Sequence, residues 1–271
     1  AAHADDMAEP VAGDAEGGGA SSSAAPPGGR TELQEAMAAL VEDARGLEKR
    51  RREAAARATQ AMRSSGCPSA KIAKATSVDG HMIFVVDGAV PNAVRAHLFE
   101  CLQSDAFRRT EFARAETREF RHHVVEYNVN KLRRTELSQI LDRLVAVLFS
   151  DANSPPLEAY RIYTNAVLFG DVAFVHPDSC DAEHVTALFY SNPEWASEFG
   201  GETVFYDEDG EIVEAVEPRP GRLVLFRGCI LHKGSPPTRL FWGSRYTTAF
   251  KYGMRDAADD PRTDGKDIVE P

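Results

Sequence analysis

Hydrophobic positions near the start of the chain recur at the spacing of one helical face. They follow one another at intervals of four and three residues: Leu33, Met37, Leu40, Ala44 and Leu47. Thr31 followed by Gln34 matches a capping box, in which two side chains close the start of a helix. Gly66 and Pro68 supply a stop signal. The pattern therefore predicts one long helix from about Thr31 to Ser64.

The apolar stripe of this helix weakens in its second half, where the same face holds Arg51, Ala54, Ala58 and Ala61. A coiled coil needs strongly apolar residues at successive heptad positions. Two alternatives therefore stay open. The helix either packs on the main domain or pairs with a second copy of the chain in a homodimer.

Shorter patterns follow this helix. We expect strands over 81–86 and 124–128, and helices over 92–103 and 135–149. From residue 157 on, short apolar or alternating runs bounded by Gly, Pro and Asp predict strands over 160–164, 172–175, 185–190, 203–206, 211–216, 222–226 and 245–252. Helices packed outside such closely spaced strands are typical of a sandwich or barrel. We therefore expect an α+β fold whose core is a double-stranded β-helix (jelly roll, cupin-like) with supporting N-terminal helices.

Composition divides the chain further. Residues 1–29 are mostly Ala, Gly, Ser and Pro, which predicts a disordered tail. Next we expect the long amphipathic helix within 30–66, a main domain over 78–255 with its jelly-roll core at about 157–252, and an acidic C-terminal tail over 256–271. The 43% hydrophobic content is enough for a sizeable core.

The net charge of −11 lies mostly in the two tails. Residues 1–29 hold five acids and no Lys or Arg, and residues 256–271 hold six acids against two bases, which gives −5 and −4 and leaves −2 for the rest. A basic face of the kind that tracks phosphates is not evident, so we expect no nucleic-acid partner.

The sequence contains no apolar run of about 18 residues and no basic start followed by an apolar segment. We therefore expect no membrane association and an intracellular, cytoplasmic protein. The four cysteines are far apart and form no CxxC pair, so we expect reduced thiols.

His176-Pro177-Asp178 places an imidazole and a carboxylate two residues apart, on one face of an extended chain. Pro177 cannot donate to a sheet ladder, which favours a strand end or an edge. His232 follows 54 residues after Asp178. Two histidines and one carboxylate form the facial triad that holds non-haem Fe(II) for oxygen chemistry, so His176, Asp178 and His232 are the candidate metal ligands and catalytic residues.

Arg245 stands thirteen residues after His232, in the last predicted strand. Its guanidinium could hold a carboxylate bidentately. An iron site that uses a dicarboxylate keto acid as co-substrate needs such an anchor for the distal carboxylate. Lys251 is a weaker candidate for the same role.

Three further segments carry a resemblance. His184-Val-Thr-Ala-Leu-Phe-Tyr-Ser-Asn-Pro-Glu-Trp195 is similar to a strand of hypoxia-sensing prolyl hydroxylases, Gly200-Gly-Glu-Thr-Val-Phe205 matches a GGET-type strand, and Pro218–Phe226 resembles the turn and strand before the second iron histidine. The chain thus resembles an Fe(II)/2-oxoglutarate-dependent oxygenase of the prolyl 4-hydroxylase type, as in hypoxia-sensing and collagen-type catalytic domains.

The resemblance implies a dioxygenase that uses Fe(II), 2-oxoglutarate and O2, with ascorbate as an aid, and that releases succinate and CO2. It implies that Tyr190 supports the distal carboxylate of 2-oxoglutarate. Family members often have a tyrosine about ten residues before the first iron histidine, whereas Tyr163 lies thirteen before His176; it either lines the co-substrate pocket or packs in the core. Related halogenases lack the carboxylate, so Asp178 favours hydroxylation.

The family acts on prolyl residues in peptides and proteins, and this is the substrate class that the resemblance favours. A free amino acid or another small molecule is the alternative. From a different class, the chain could be a catalytically silent jelly-roll interaction protein that uses the long helix.

Overall fold

A computed structural model of the chain describes residues 32–149 and 155–254. The chain divides after Gly46 into two units. The described part of the first unit, residues 32–46, is helical, and the remaining elements belong to the second unit. The predicted cap at Thr31 and both predicted tails lie outside the described residues.

Four α-helices and eleven strands are described. The helices are α1 (Glu32–Ser64), α2 (Asn92–Ser104), α3 (Val129–Leu132) and α4 (Glu136–Phe149). The strands are β1 (Lys71–Val78), β2 (His81–Asp87), β3 (Arg108–Glu111), β4 (His122–Tyr127), β5 (Glu158–Val167), β6 (Val185–Tyr190), β7 (Thr203–Tyr206), β8 (Ile212–Val216), β9 (Leu223–Arg227), β10 (Leu231–Gly234) and β11 (Arg245–Gly253).

The strands form two antiparallel sheets. The large sheet has eight strands in the order β1-β2-β9-β6-β11-β5-β4-β3, and the small sheet has three in the order β10-β7-β8. This arrangement confirms the predicted α+β class with a jelly-roll core.

Alternation along the strands of the large sheet sends side chains to two different cores. In β9, Leu223 and Leu225 pack with α4 on one face, whereas Val224 and Phe226 face the small sheet. Phe205 of the small sheet meets Phe226 with ring centroids 4.9 Å apart. Because side chains alternate with a period of two, the same rule decides which polar residues of β6 and β11 reach the space between the sheets.

Most predicted elements are present, and β6 and β7 have the expected bounds. The strand expected over 172–175 is absent from the structure: this stretch has no sheet hydrogen bonds and lines a cleft instead. Its apolar residues suggested a strand because cleft walls and buried strands share that composition. No sequence pattern predicted β1, β3, α3 or β10.

The apolar stripe of α1 is exposed where its side chains are described: Leu33, Met37 and Leu40 are each more than half accessible. Homodimer formation through this helix stays a prediction.

All four cysteines are free thiols, as expected. No helix among the described residues is long and apolar enough to cross a membrane.

Candidate metal centre

His176, Asp178 and His232 come together between the two sheets. One ligand atom from each lies within 4.8 Å of the others. His176 and His232 form an antiparallel bridge in which each backbone N–H donates to the other residue's carbonyl at 3.0 Å. The N–H of Asp178 donates to Gly228 at 2.8 Å. Pro177, which has no N–H, thus sits between two residues that make the required bonds.

Both histidines are oriented in the same way. Nδ1 of His176 lies 2.9 Å from the carbonyl of Phe174, and Nδ1 of His232 lies 2.9 Å from the carbonyl of Ile230. A carbonyl only accepts, so Nδ1 carries the proton and Nε2 keeps its lone pair for the site. Burial lowers the pKa of His232 to about 4, which keeps this imidazole neutral and able to bind a cation.

Asp178 is buried, with 3% of its side chain exposed. Its Oδ2 accepts a hydrogen bond from the Thr186 hydroxyl at 2.7 Å and forms an ion pair with Lys251. Burial alone would raise the pKa of Asp178, but the Lys251 ammonium holds it well below its usual range. The carboxyl group is therefore ionised at neutral pH.

This donor set fits Fe(II). Two neutral imidazoles and one carboxylate with an open side are the ligands of the non-haem iron facial triad. The open side is provided by a cleft that His176 lines. The structure thus brings together the three ligands that the sequence predicted.

Arg245 lies in the wall of the same cleft. It is 2% exposed, and its guanidinium donates to the Gly201 carbonyl at 2.5 Å, the Thr247 hydroxyl at 2.6 Å and the Thr203 hydroxyl at 3.1 Å. Among the described residues, no acid is within salt-bridge distance of Arg245. A buried charge is normally paired, so this cation is suited to an anion that enters the cleft.

Tyr190 lies beside Arg245. Its hydroxyl donates to Thr203 at 2.7 Å, and the guanidinium carbon is 5.4 Å from the ring centroid. Both side chains face the small sheet because Tyr190 pairs in register with Thr247, which faces the same way as Arg245. The prediction that Tyr190 lies with the arginine anchor is compatible with this placement.

Gly201 of the GGET-type segment lies directly against the Arg245 side chain. Gly201 has φ +78°, and an added Cβ would lie 3.0 Å from Cδ of Arg245 and 3.0 Å from Cζ2 of Trp195. Only a glycine allows both this conformation and this close approach. Thr203 of the same segment bonds both Arg245 and Tyr190.

Tyr163 lines the cleft together with His176 and Arg245 and is 5% exposed. The Arg161 guanidinium covers its ring, 4.1 Å from the centroid. Tyr163 therefore both packs and faces the cleft, and its contact with a co-substrate stays a prediction.

Lys251 is not near the anchor. It lies six residues after Arg245 on the same strand face, roughly 20 Å away along an extended strand, and it pairs with Asp178. His122 and Asn165 also line the cleft, and the sequence did not point to them. They lie 43 residues apart along the chain, so no local pattern marks them.

Residues 166–252 match the family model described as the 2OG-Fe(II) oxygenase superfamily. This range includes the three metal-ligand candidates, Tyr190 and Arg245. The match confirms the resemblance to Fe(II)- and 2-oxoglutarate-dependent oxygenases that the sequence predicted. No curated protein matches the chain significantly.

Several solved structures are similar to this chain. A Trichoplax adhaerens prolyl hydroxylase in complex with a hypoxia inducible factor peptide fragment is 18% identical, with a TM-score of 0.49 over 63% of this chain and 82% of that chain. A Pseudomonas putida prolyl-4-hydroxylase is 24% identical, with a TM-score of 0.47 over 61% and 89%. HygX from Streptomyces hygroscopicus, with nickel and 2-oxoglutarate bound, is 16% identical, with a TM-score of 0.48 over 64% and 83%. All three TM-scores are below 0.5, so these similarities support no functional assignment.

Proposed function

We propose that the chain is a dioxygenase that hydroxylates a prolyl residue in a peptide or protein. The match of residues 166–252 to the model of the 2OG-Fe(II) oxygenase superfamily supports this proposal. His176, Asp178 and His232 hold Fe(II). Arg245 and Tyr190 bind the distal carboxylate of 2-oxoglutarate. Succinate and CO2 are the co-products, and ascorbate keeps the iron reduced.

The observation that carries this proposal is the buried guanidinium of Arg245 in the same cleft as His176. Its described partners are neutral oxygens. A carboxylate at this position gains charge-assisted hydrogen bonds in a site of low polarity. Metal binding alone needs no buried arginine, whereas a dicarboxylate co-substrate needs a cation that binds its distal carboxylate.

Each side chain has a separate task in the reaction. With 2-oxoglutarate and O2, the iron supplies an oxidant that replaces C–H by C–OH. The two histidines present neutral Nε2 atoms because their Nδ1 protons are held by carbonyls. Thr186 fixes the Asp178 carboxylate. Arg245 orients the co-substrate by its distal carboxylate.

Three aromatic rings at the cleft support a prolyl substrate: Phe112, Phe120 and Phe174. The rings of Phe120 and Phe174 are 5.2 Å apart, and Phe120 is 49% exposed. Proline-containing peptides dock in grooves lined by aromatic side chains, because their backbone is already ordered. The exposed ring of Phe120, in the same cleft as His176, offers such a surface.

A second candidate is a hydroxylase of a free amino acid or other small molecule. It is favoured by the mixture of aromatic and polar side chains in the cleft wall, which is typical of small-molecule sites. Polar groups of His122 and Asn165 in the cleft wall could orient such a compound.

The direct test is succinate formation from 2-oxoglutarate under air with Fe(II) and ascorbate. Wild type should form succinate, and proline-containing peptides should increase the yield. Asp178→Ala should form none. Because this change leaves the buried Lys251 ammonium without its carboxylate partner, the double variant Asp178→Ala/Lys251→Met is tested beside it and should form no succinate while keeping the wild-type circular dichroism spectrum. Succinate formation by Asp178→Ala at the wild-type rate would show that Asp178 is not a required ligand.

Competition separates the two substrate classes. Under the peptide proposal, a proline-containing peptide raises turnover and free proline does not compete with it. Turnover with free proline alone would favour the small-molecule enzyme. Failure of wild type to bind Fe(II) and 2-oxoglutarate together in an anaerobic titration would favour the silent interaction protein.

A further inference from the structure

Lys251 is a fully buried cation next to a candidate iron ligand. It is 2% exposed, forms an ion pair with Oδ2 of Asp178, and donates to the Thr186 hydroxyl at 3.1 Å. Thr186 in turn donates to the same Oδ2 at 2.7 Å. Lysine is among the residues least often buried unless it is paired, so Asp178 accounts for its position.

The strand register explains how Lys251 reaches this place. Lys251 pairs with Thr186 across β11 and β6, and both side chains project toward the space between the sheets. Neighbouring Phe250 and Tyr252 project to the other face and pack in the core under the helices. One strand face of β11 therefore presents Arg245 to the cleft and Lys251 to the carboxylate.

Asp178 therefore has a cationic partner, Lys251, in the metal-free protein. Removing one member of a buried ion pair leaves an uncompensated charge, which is strongly destabilising. A bound divalent cation supplies positive charge to the same carboxylate, and it also repels the ammonium a few ångströms away. The ion pair and the metal therefore compete.

We propose that Lys251 is a positioning residue that serves as the built-in counter-ion of the metal-binding carboxylate, stabilising the metal-free protein and weakening metal binding. This inference rests on the proposed metal role of His176, Asp178 and His232. Its functional consequence is that metal binding becomes readily reversible, so that occupancy follows the supply of metal.

The test uses Lys251→Met, with Lys71→Met as the control because Lys71 is exposed on β1 and changes the net charge equally. Mn(II) affinity is measured by titration calorimetry, and the melting temperature is measured with chelator and with saturating Mn(II). Lys251→Met should bind Mn(II) at least about tenfold more tightly than wild type. It should melt lower than wild type without metal, and Mn(II) should raise its melting temperature by more. Lys71→Met should match wild type in both measurements.

Equal or weaker Mn(II) binding by Lys251→Met, with binding by wild type intact, would overturn the counter-ion role alone. Absence of Mn(II) binding in wild type would instead refute the proposed metal site. If Lys251→Met does not fold without metal, the double variant Asp178→Asn/Lys251→Met decides. It removes both charges and should fold, whereas its failure to fold would show that Lys251 acts through packing.

Discussion

The most informative perturbation is the removal of the Arg245 guanidinium. Arg245→Met keeps much of the apolar volume and deletes the charge that we assign to the distal carboxylate of 2-oxoglutarate. A hydrogen bond to a charged group contributes about 1.5 to 3 kcal/mol. Loss of two such bonds costs about 3 to 6 kcal/mol, so the KM for 2-oxoglutarate should rise by roughly 10² to 10⁴.

The assay is succinate formation at varied 2-oxoglutarate with saturating Fe(II), together with Mn(II) affinity as a metal readout. Mn(II) affinity should change little, because Arg245 does not contact the three ligand side chains in any described hydrogen bond or ion pair. Arg245→Lys should lie between wild type and Arg245→Met, since an ammonium keeps the charge but not the planar fork.

Arg222→Met is the matched control for loss of a buried arginine. Arg222 is also buried, but two of its nitrogens bond Asp87 at 2.8 and 3.0 Å. This variant should lose stability and keep the KM for 2-oxoglutarate. A rise of less than tenfold in that KM for Arg245→Met, or an equal rise for Arg222→Met, would refute the anchor assignment.

Three further predictions test the surroundings of the anchor and the metal ligands. Tyr190→Phe should raise the KM for 2-oxoglutarate by about tenfold, less than Arg245→Met, because it removes one neutral hydroxyl; an unchanged KM would remove Tyr190 from the site. Gly201→Ala should lose about 1 to 3 kcal/mol in urea unfolding and bind 2-oxoglutarate more weakly, because its Cβ meets Arg245; Gly210→Ala, at φ +83° with nothing within 4 Å, should show only the backbone cost. Burial lowers the pKa of His232 to about 4, whereas an unfolded histidine has a pKa of about 6.5. Between these two pH values the unfolded chain binds one more proton than the folded chain. The free energy of unfolding of the metal-free protein should therefore fall by roughly 3 kcal/mol as the pH is lowered across this window. His232→Gln should flatten this pH dependence, and an equally steep slope in that variant would contradict it.

Much of the candidate metal centre could be predicted because two of its three residues are close together in sequence. His176 and Asp178 are two residues apart, which fixes their common face on an extended chain. Arg245 could be placed in a strand from the alternation around it. The bounds of β6 and β7 followed from short apolar runs bounded by polar, Gly and Pro residues.

Other parts depend on pairing between distant segments. The partner of Lys251 is Asp178, and nothing near Lys251 in sequence indicates it. The prediction of a strand over 172–175 was wrong because the apolar residues of this stretch face a cleft and not a neighbouring strand. β1 was missed because its lysines and small residues resemble a polar connection, and its pairing with β2 decides its conformation.

The single face of β11 that holds Arg245 and Lys251 makes this strand unusually sensitive to changes in length. Deleting or inserting one residue between them moves one of the two side chains to the helix-facing side. The chain would then lose either the arginine that we assign to 2-oxoglutarate or the cationic partner of Asp178, even if the sheet still formed. Library selection for activity should therefore recover insertions and deletions in the loop before β11 and almost none inside it.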